Sequence, residues 1–388
     1  MKKTAIIPLR KDSKAIPGKN KKKMVGRPLF SWVLTEAIFS DLDEIYVFTD
    51  DQEIIDFVNN EYHWTTKVKA MLRNEQNAND TASTESAMLE FSEKINHDYD
   101  ILCLLQATSP FTVSNDINTA IAKIENENFD SAVSVVKTHR FVWNSDGTPQ
   151  NYDIYKRPRR QDFNGLLIEN GAIYCTKKEA FIKSKNRISG SIAIVEMPEE
   201  TLIEIDSLTD WNIAENLLLE RQKRQKKSSK IDYLVLDVDG VFTDGCVYYS
   251  ADGELTKKFD MRDGMGLEII RQNNVEVVVV TSENSELVSK RMQKLKIANT
   301  FLGVKDKYSF LKHFLKDKNS SFDAVAYVGD DVNDLANLCS VGWSFAPLNA
   351  TNIVKNNVDV VLTNESGKGA IREVCEFILN YNKRYEQL

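Results

Sequence analysis

Two aspartates stand one residue apart in Asp237-Val-Asp-Gly-Val-Phe-Thr-Asp-Gly245, directly after the apolar run 231–236. Side chains at i and i+2 of a strand point the same way. Asp237 and Asp239 should therefore converge just beyond the strand end, where open α/β sheets bind their ligands. Two carboxylates that close need a cation or a proton between them. Other segments downstream end in complementary groups. The apolar run 275–280 ends at Thr281, residues 302–307 at Lys307, and the run 324–328 at Gly329-Asp-Asp-Val-Asn-Asp334. Paired acids, a hydroxyl, a lysine and an acid cluster suit hydrolysis of a phosphate monoester through a covalent intermediate. A carboxylate attacks phosphorus, with Mg²⁺ cancelling the repulsion between the two anions. A second acid protonates the leaving alkoxide, while the hydroxyl and the lysine hold the transferring oxygens.

The first half of the chain carries a different signature. The apolar run 4–9 ends in Arg10-Lys-Asp-Ser-Lys-Ala-Ile-Pro-Gly-Lys-Asn20, a polar loop rich in cations. Backbone N–H groups and lysines at the C-terminal end of a strand make a cradle for a triphosphate, although this loop is neither G-x-G-x-x-G nor a P-loop. Further on, the spacing predicts a strand over 201–206 that puts Glu204 and Asp206 on one face, followed by a helix capped by Ser207 with Asp210 in its first turn.

The elements that must position these residues alternate. Strands are expected at 44–49, 101–105, 131–137 and from 170 onward, with helices at 28–40, 52–59, 85–94 and 208–227. The alternation restarts at 231, with a hairpin over 247–259 and a helix after Asp260. That is the α/β pattern, twice over. With 388 residues the chain is long enough for two domains. The basic stretch 221–230 reads as a solvated helix end leading into a linker.

Composition narrows the function classes. The hydrophobic share is 42%, the charged share 28% and the formal net charge −7. That balance excludes bulk nucleic-acid binding but leaves room for anionic substrates held by local basic loops. Five scattered cysteines without a C-x-x-C pair fit a reducing cytoplasm and argue against a disulfide frame or a zinc site. The chain starts directly on a strand pattern, and no apolar run reaches membrane-spanning length, so no membrane association is expected. Four dispersed histidines leave catalysis to carboxylates and lysines.

Residues 231–388 resemble the haloacid dehalogenase superfamily through the ordered motifs above. The resemblance implies Asp237 as nucleophile, Asp239 as acid/base, and Thr281 and Lys307 as phosphate ligands. It implies a Mg²⁺ site at Asp237, Asp239 and Asp330, supported by Asp331 or Asp334. The stretches Arg262-Asp-Gly-Met-Gly266 and Gly367-Lys-Gly-Ala-Ile-Arg-Glu-Val-Cys375 resemble the capless phosphatases of 3-deoxy-octulosonate 8-phosphate and of nonulosonate 9-phosphates. The intervals Asp239 to Thr281 and Thr281 to Lys307 are too short to hold a cap domain. A capless site needs another shield, so a homo-oligomer, tetramer or dimer, is expected. Glu283 stands where the octulosonate enzymes carry arginine, which points to a nine-carbon substrate. Ser282 replaces their usual glycine.

Residues 1–225 resemble the CMP-sialate synthetases through the 10–20 loop, Leu105-Gln-Ala-Thr-Ser-Pro110, Asn170-Gly-Ala-Ile-Tyr174 and Ile203-Glu-Ile-Asp-Ser207. Here Ala107 replaces the usual proline and Glu204 the commoner aspartate. The resemblance implies that CTP and a nine-carbon sugar acid react to give CMP-sugar and pyrophosphate. Arg10 and Lys19 would neutralise the departing pyrophosphate, with Ser13 and Asn20 in the same loop. Glu204 and Asp206 would hold Mg²⁺. Arg73, Asp80, Ser83 and Thr84 would lie at or near the cytidine, and Gln106, Arg160, Gln161 and Asn170 at the sugar.

The expectation is thus a cytoplasmic chain of two three-layer α/β domains. A nucleotide-diphospho-sugar-transferase-like, Rossmann-like cytidylyltransferase domain (1–225) and a short basic linker (226–230) precede a capless haloacid dehalogenase-like phosphatase domain (231–388). The phosphatase would act on a sugar acid 9-phosphate. Two alternatives stand beside it: a second domain that serves only oligomerisation, and the corresponding octulosonate pathway.

Overall fold

Parallel strands buried on both faces need nearly continuous apolar runs, and the chain supplies them. Ile101–Leu105 and Tyr233–Leu236 are buried throughout, and Lys3–Leu9 over most of its length. The computed structural model describes all residues except 12, 14, 79–81, 252 and 386–388. The chain divides into two compact units. One comprises Met1–Lys23 with Pro28–Glu215, the other Met24–Arg27 with Asn216–Leu388.

The first unit is built on a seven-stranded sheet in the order Val68–Leu72, Glu44–Thr49, Lys3–Leu9, Ile101–Leu105, Leu166–Lys177, Ser131–Thr138 and Ile192–Met197. The first four run parallel, and Leu166–Lys177 lies antiparallel to both of its neighbours. Alternate residues of Lys3–Leu9 enter different cores. Ala5, Ile7 and Leu9 join Phe30, Val33 and Ile117 on one side, while Ile6 joins Met88 and Phe91 on the other. A sheet with a helical core on each face is the three-layer arrangement the alternation predicts.

One expected strand is absent, and this corrects the reading of 201–206. Residues Glu199–Leu202 form a 3₁₀ turn and 203–206 join no sheet. Pro198, which has no N–H to give a ladder, ends the preceding strand, and Thr201 donates its hydroxyl back to the Pro198 carbonyl (2.7 Å). The edge position is taken instead by Ile192–Met197. The helix Leu208–Gln225 follows, with Ser207 and Asp210 exchanging hydrogen bonds at its start.

The second unit carries a six-stranded parallel sheet in the order Asn299–Phe301, Glu276–Val280, Tyr233–Leu236, Val325–Val328, Trp343–Ala346 and Val360–Val361. Leu234 and Leu236 face the helices Met261–Gln272 and Ala370–Asn382, while Tyr233 and Val235 face Lys307–Asp317. The strands Thr243–Ser250 and Gly253–Phe259 form a hairpin that pairs only with itself. Among the described residues all five cysteines are free thiols, and no helix is long and apolar enough to cross a membrane.

Asp263 links two helices of this unit. Its buried carboxylate accepts the Arg372 amide (2.9 Å) in the first turn of Ala370–Asn382. Burial pushes its pKa up to about 6, against the opposing pull of those amides. A carboxyl whose folded pKa is raised favours folding below the unfolded pKa of about 4 and loses that contribution as pH rises through about 6. Asp263→Asn should therefore add on the order of 1–3 kcal/mol at pH 7 and nothing at pH 4. Urea unfolding of both proteins across that range would show the difference, and parallel pH curves would refute it.

Candidate active sites

In the first unit the strand Lys3–Leu9 runs out into the basic loop. Gly18, at φ +62°, turns it, and the Lys21 and Lys22 amides close back on the Gly18 carbonyl at 2.9 Å. The Asn20 side chain donates to the Arg10 carbonyl (3.0 Å), and the Lys11 amide donates to Asp50 (2.8 Å). These bonds hold the loop over a cavity of about 300 Å³. Arg10, Ser13, Lys19, Asn20, Arg73, Ser83, Thr84, Gln106, Glu204 and Asp206 all line it.

They reach the cavity from several separate elements. Ser83 caps the helix Thr84–Lys94. Gln106 follows Ile101–Leu105 and is fixed by its amide on the Ala172 carbonyl (3.2 Å). Arg73 follows Val68–Leu72, is 4% exposed, and donates to the Asn77 carbonyl. Burial holds its guanidinium below the usual range. Lys19 reaches across to the Ile205 carbonyl (2.8 Å) and Asp206 (3.4 Å). Although 203–206 is not a strand, Glu204 and Asp206 both turn to the cavity while Ile205 is buried. The chemistry available is that of cations on one wall and hard oxygen donors on the other, suited to a metal-bound polyphosphate.

Three of the remaining expected residues lie elsewhere, and Asp80 falls outside the described residues. Arg160 and Gln161 sit exposed on the 3₁₀ turn Arg160–Asp162. Asn170 is fully buried, accepting from Ser134 (2.6 Å) and donating to Thr201 (2.9 Å). Pro8, Ala82, Ala87 and Thr108 also line the cavity. None of these had been singled out as a site residue, because apolar and small side chains carry little chemical signal. Asn170→Ala should cost the first unit on the order of 1–3 kcal/mol by leaving buried Ser134 and Thr201 short of a partner. An unchanged thermal unfolding midpoint would contradict that.

In the second unit the parallel strands deliver their C-terminal residues to one place. Asp237 follows Tyr233–Leu236, Thr281 follows Glu276–Val280, and Asp330 follows Val325–Val328. Lys307 opens the helix Lys307–Asp317, whose cap is Asp306. Asp306 also receives Arg27 of this unit through two bonds of 2.8 Å.

Lys307 is buried between two buried carboxylates, 2.8 Å from Asp237 and 2.8 Å from Asp334. Tyr327 donates its hydroxyl to Asp334 as well (2.7 Å). Ligand atoms of Asp237, Asp330 and Asp334 lie within 4.8 Å of one another. Burial pushes Asp237 up to about 7, Lys307 pulling it down and Asp334 adding to the rise. Burial, with Asp334 and Asp237, lifts Asp330 to about 8. Burial opposes the charge on Lys307, but its two carboxylates push its pKa up. The second oxygen of Asp334 is buried without a partner. Three hard carboxylates, one with an orphan oxygen, fit a small divalent cation such as Mg²⁺. Gly240, at φ +81°, leaves Asp330 its place: a Cβ there would stand 2.0 Å from the Asp330 carboxylate.

The other expected residues are spread around this cluster. Thr281 is buried, its hydroxyl accepting from the Glu283 amide at 3.4 Å, and the Glu283 side chain is exposed. Asp331 caps the 3₁₀ turn Val332–Asp334 from an exposed position. Asp239 does not join the three-carboxylate cluster; its oxygens meet Lys257 at 2.8 and 3.0 Å. Lys257 and Tyr327 had not been anticipated. Each sits inside a strand, where only the fold shows which way a polar side chain points.

Known proteins fit this geometry. A family model described as cytidylyltransferase matches residues 4–233, and one described as haloacid dehalogenase-like hydrolase matches 303–374. N-acylneuraminate cytidylyltransferase B of Danio rerio is 31% identical over 98% of this chain and 91% of its own length. The 3-deoxy-D-manno-octulosonate 8-phosphate phosphatase KdsC of Haemophilus influenzae is 38% identical over 40% of this chain and 86% of its own. Among solved structures, the Moraxella catarrhalis octulosonate 8-phosphate phosphatase, in complex with magnesium, phosphate and KDO, is 30% identical. It covers 44% of this chain and 95% of its own, with a TM-score of 0.39.

Proposed function

Because this chain belongs to the cytidylyltransferase family and carries a haloacid dehalogenase-like hydrolase region behind it, we propose that it performs two consecutive steps of sugar-acid activation. The second site hydrolyses a nonulosonate 9-phosphate, and the first couples the freed nine-carbon acid to CTP. The domain limits that go with this reading are 1–225 and 231–388, with 226–230 between them. The observation that carries it is the pair of sites: a cationic and acidic cavity in one unit, a lysine-bridged carboxylate cluster in the other.

At the first site the anomeric hydroxyl of the sugar acid attacks the α-phosphorus of CTP, and the bond to the β-phosphate oxygen breaks. Arg10 and Lys19 neutralise the charge that builds on the departing pyrophosphate. At the second site an oxygen of Asp237 attacks the phosphorus. Asp239 gives its proton to the leaving sugar oxygen and later takes one from the water that hydrolyses the acyl phosphate. Thr281 and Lys307 hold the transferring oxygens. Glu204 and Asp206 at one site, and Asp237, Asp330 and Asp334 at the other, would hold Mg²⁺, which would supply screening of phosphate charge. A cytoplasmic homo-oligomer, dimer or tetramer, completes the reading; the exposed Tyr248, Tyr249 and Leu255 of the hairpin give it apolar surface to pair.

Release of phosphate and of pyrophosphate, scored separately, tests each half. Asp237→Asn should lower phosphate release from a sialate 9-phosphate by about 10³-fold or more and leave pyrophosphate release intact. Chelating Mg²⁺ should suppress both. Phosphate release that survives Asp237→Asn would sink the mechanism. Lys19→Met should cost pyrophosphate release about 10²–10³-fold while sparing phosphate release. The similarity to KdsC favours a second reading, an octulosonate substrate. A preference for the eight-carbon acid in the CTP assay would establish it over the first. A wild-type chain without phosphatase activity on any sugar-acid phosphate would reduce the second unit to an assembly module.

A further inference from the structure

The hairpin holds two charged residues that an undisturbed strand would separate. Glu254 and Lys257 are three apart, so alternation would place them on opposite faces. The register slips between them: Tyr248 stands opposite Thr256 and Tyr249 opposite Glu254, which leaves Leu255 unmatched and 63% exposed. A bulge of this kind re-aims the side chains beside it. Glu254 and Lys257 come to the same side, 3.2 Å apart.

From there Lys257, its side chain 1% exposed, reaches both oxygens of Asp239 at 2.8 and 3.0 Å. The other oxygen of Glu254 accepts the hydroxyl of Ser285, the buried cap of the helix Glu286–Lys294. Ser285 lies four residues after Thr281 in the same loop. A continuous line of charge-assisted bonds thus runs from Asp239 through the hairpin to the loop of Thr281 and Glu283. Without it, Asp239 would keep, among the described residues, only a marginal contact with the Thr243 hydroxyl at 3.5 Å. A group that exchanges a proton with a leaving oxygen must be held within hydrogen-bond reach of it.

We propose that Lys257 is a positioning residue of the phosphoryl-transfer site, and that Lys257, Glu254 and Ser285 form a strap that orients Asp239 and pins the hairpin to the Thr281 loop. The proposal rests on the phosphatase reading of the second unit. It explains why an ammonium is buried in a hairpin that pairs with no other strand. A surface hairpin has no need of such a group, whose burial requires nearby carboxylates.

Steady-state phosphate release by the full chain tests it. Lys257→Met keeps the stem and removes the charge; it should lower kcat about 10–100-fold with KM changed less than about threefold, as expected when orientation and not binding is lost. Lys257→Arg should restore at least about a tenth of wild-type kcat, since it too can donate to both oxygens. Ser285→Ala should lower kcat by about threefold, and added to Lys257→Met should cost little more, because members of one network are not additive. Pyrophosphate release should be unchanged throughout. A Lys257→Met kcat within about twofold of wild type overturns the proposal. So does a loss of kcat that only tracks a loss of folded protein in thermal melts, or one that arginine does not rescue. If Lys257→Met does not fold, the decision falls to Ser285→Ala and Glu254→Gln, and wild-type kcat in both refutes the strap. Wild-type protein that releases no phosphate from any sugar-acid phosphate removes the premise and the proposal with it, a result distinct from an active wild type indifferent to Lys257.

Discussion

The buried ammonium of Lys307 is the constraint on which the second unit is organised. It touches Asp237 and Asp334 at the same distance, 2.8 Å, and both carboxylates are buried. Ions stripped of water are stable only where partners replace the lost hydration. The fold supplies them by bringing three strand ends and one helix start together, and by capping that helix with Asp306 so that Lys307 is its first residue. Burial first, and then the excess of three carboxylates over one ammonium, raise Asp237 and Asp330 to about 7 and 8. That excess is also what makes the cluster receptive to a cation.

The first site solves its electrostatics differently. Glu204 and Asp206 are exposed at the cavity wall, and Lys19 reaches Asp206 across the opening at 3.4 Å. Water screens such charges, so little is stored in any one pair. A site that must admit a triphosphate and release two charged products is well served by groups that are solvated when alone. Under the proposed function, a site that forms a covalent bond to its own carboxylate is better served by rigid, buried partners.

What the sequence disclosed depended on where each residue sits. Asp237, Thr281 and Asp330 were readable because each ends an apolar run, and the end of a parallel strand has a fixed side of the sheet. In the first unit the loop 10–20 and Gln106 follow apolar runs in the same way, whereas Ser83, Thr84, Glu204 and Asp206 were named through the family resemblance. The strand expected over 201–206 was misread because its apolar and acidic alternation imitates an edge strand, while Pro198 and the backward bond of Thr201 make the chain turn first. Asn170 had a strand's pattern around it, but which face it took was set by pairing with Ser134 across a bulge in the ladder. Lys257 was out of reach entirely, since its direction depends on a register slip that leaves no mark in composition or period.

That slip sets how the hairpin can change in length over time. Loss of one residue between Glu254 and Lys257 would remove the need for the slip, since residues two apart share a face in regular alternation; gain of one with the slip retained would turn the lysine to the opposite face, with the same effect as deleting its charge. A length change behind the tip therefore keeps the lysine in place only where the slip changes with it. The lysine is kept by spacing as much as by identity.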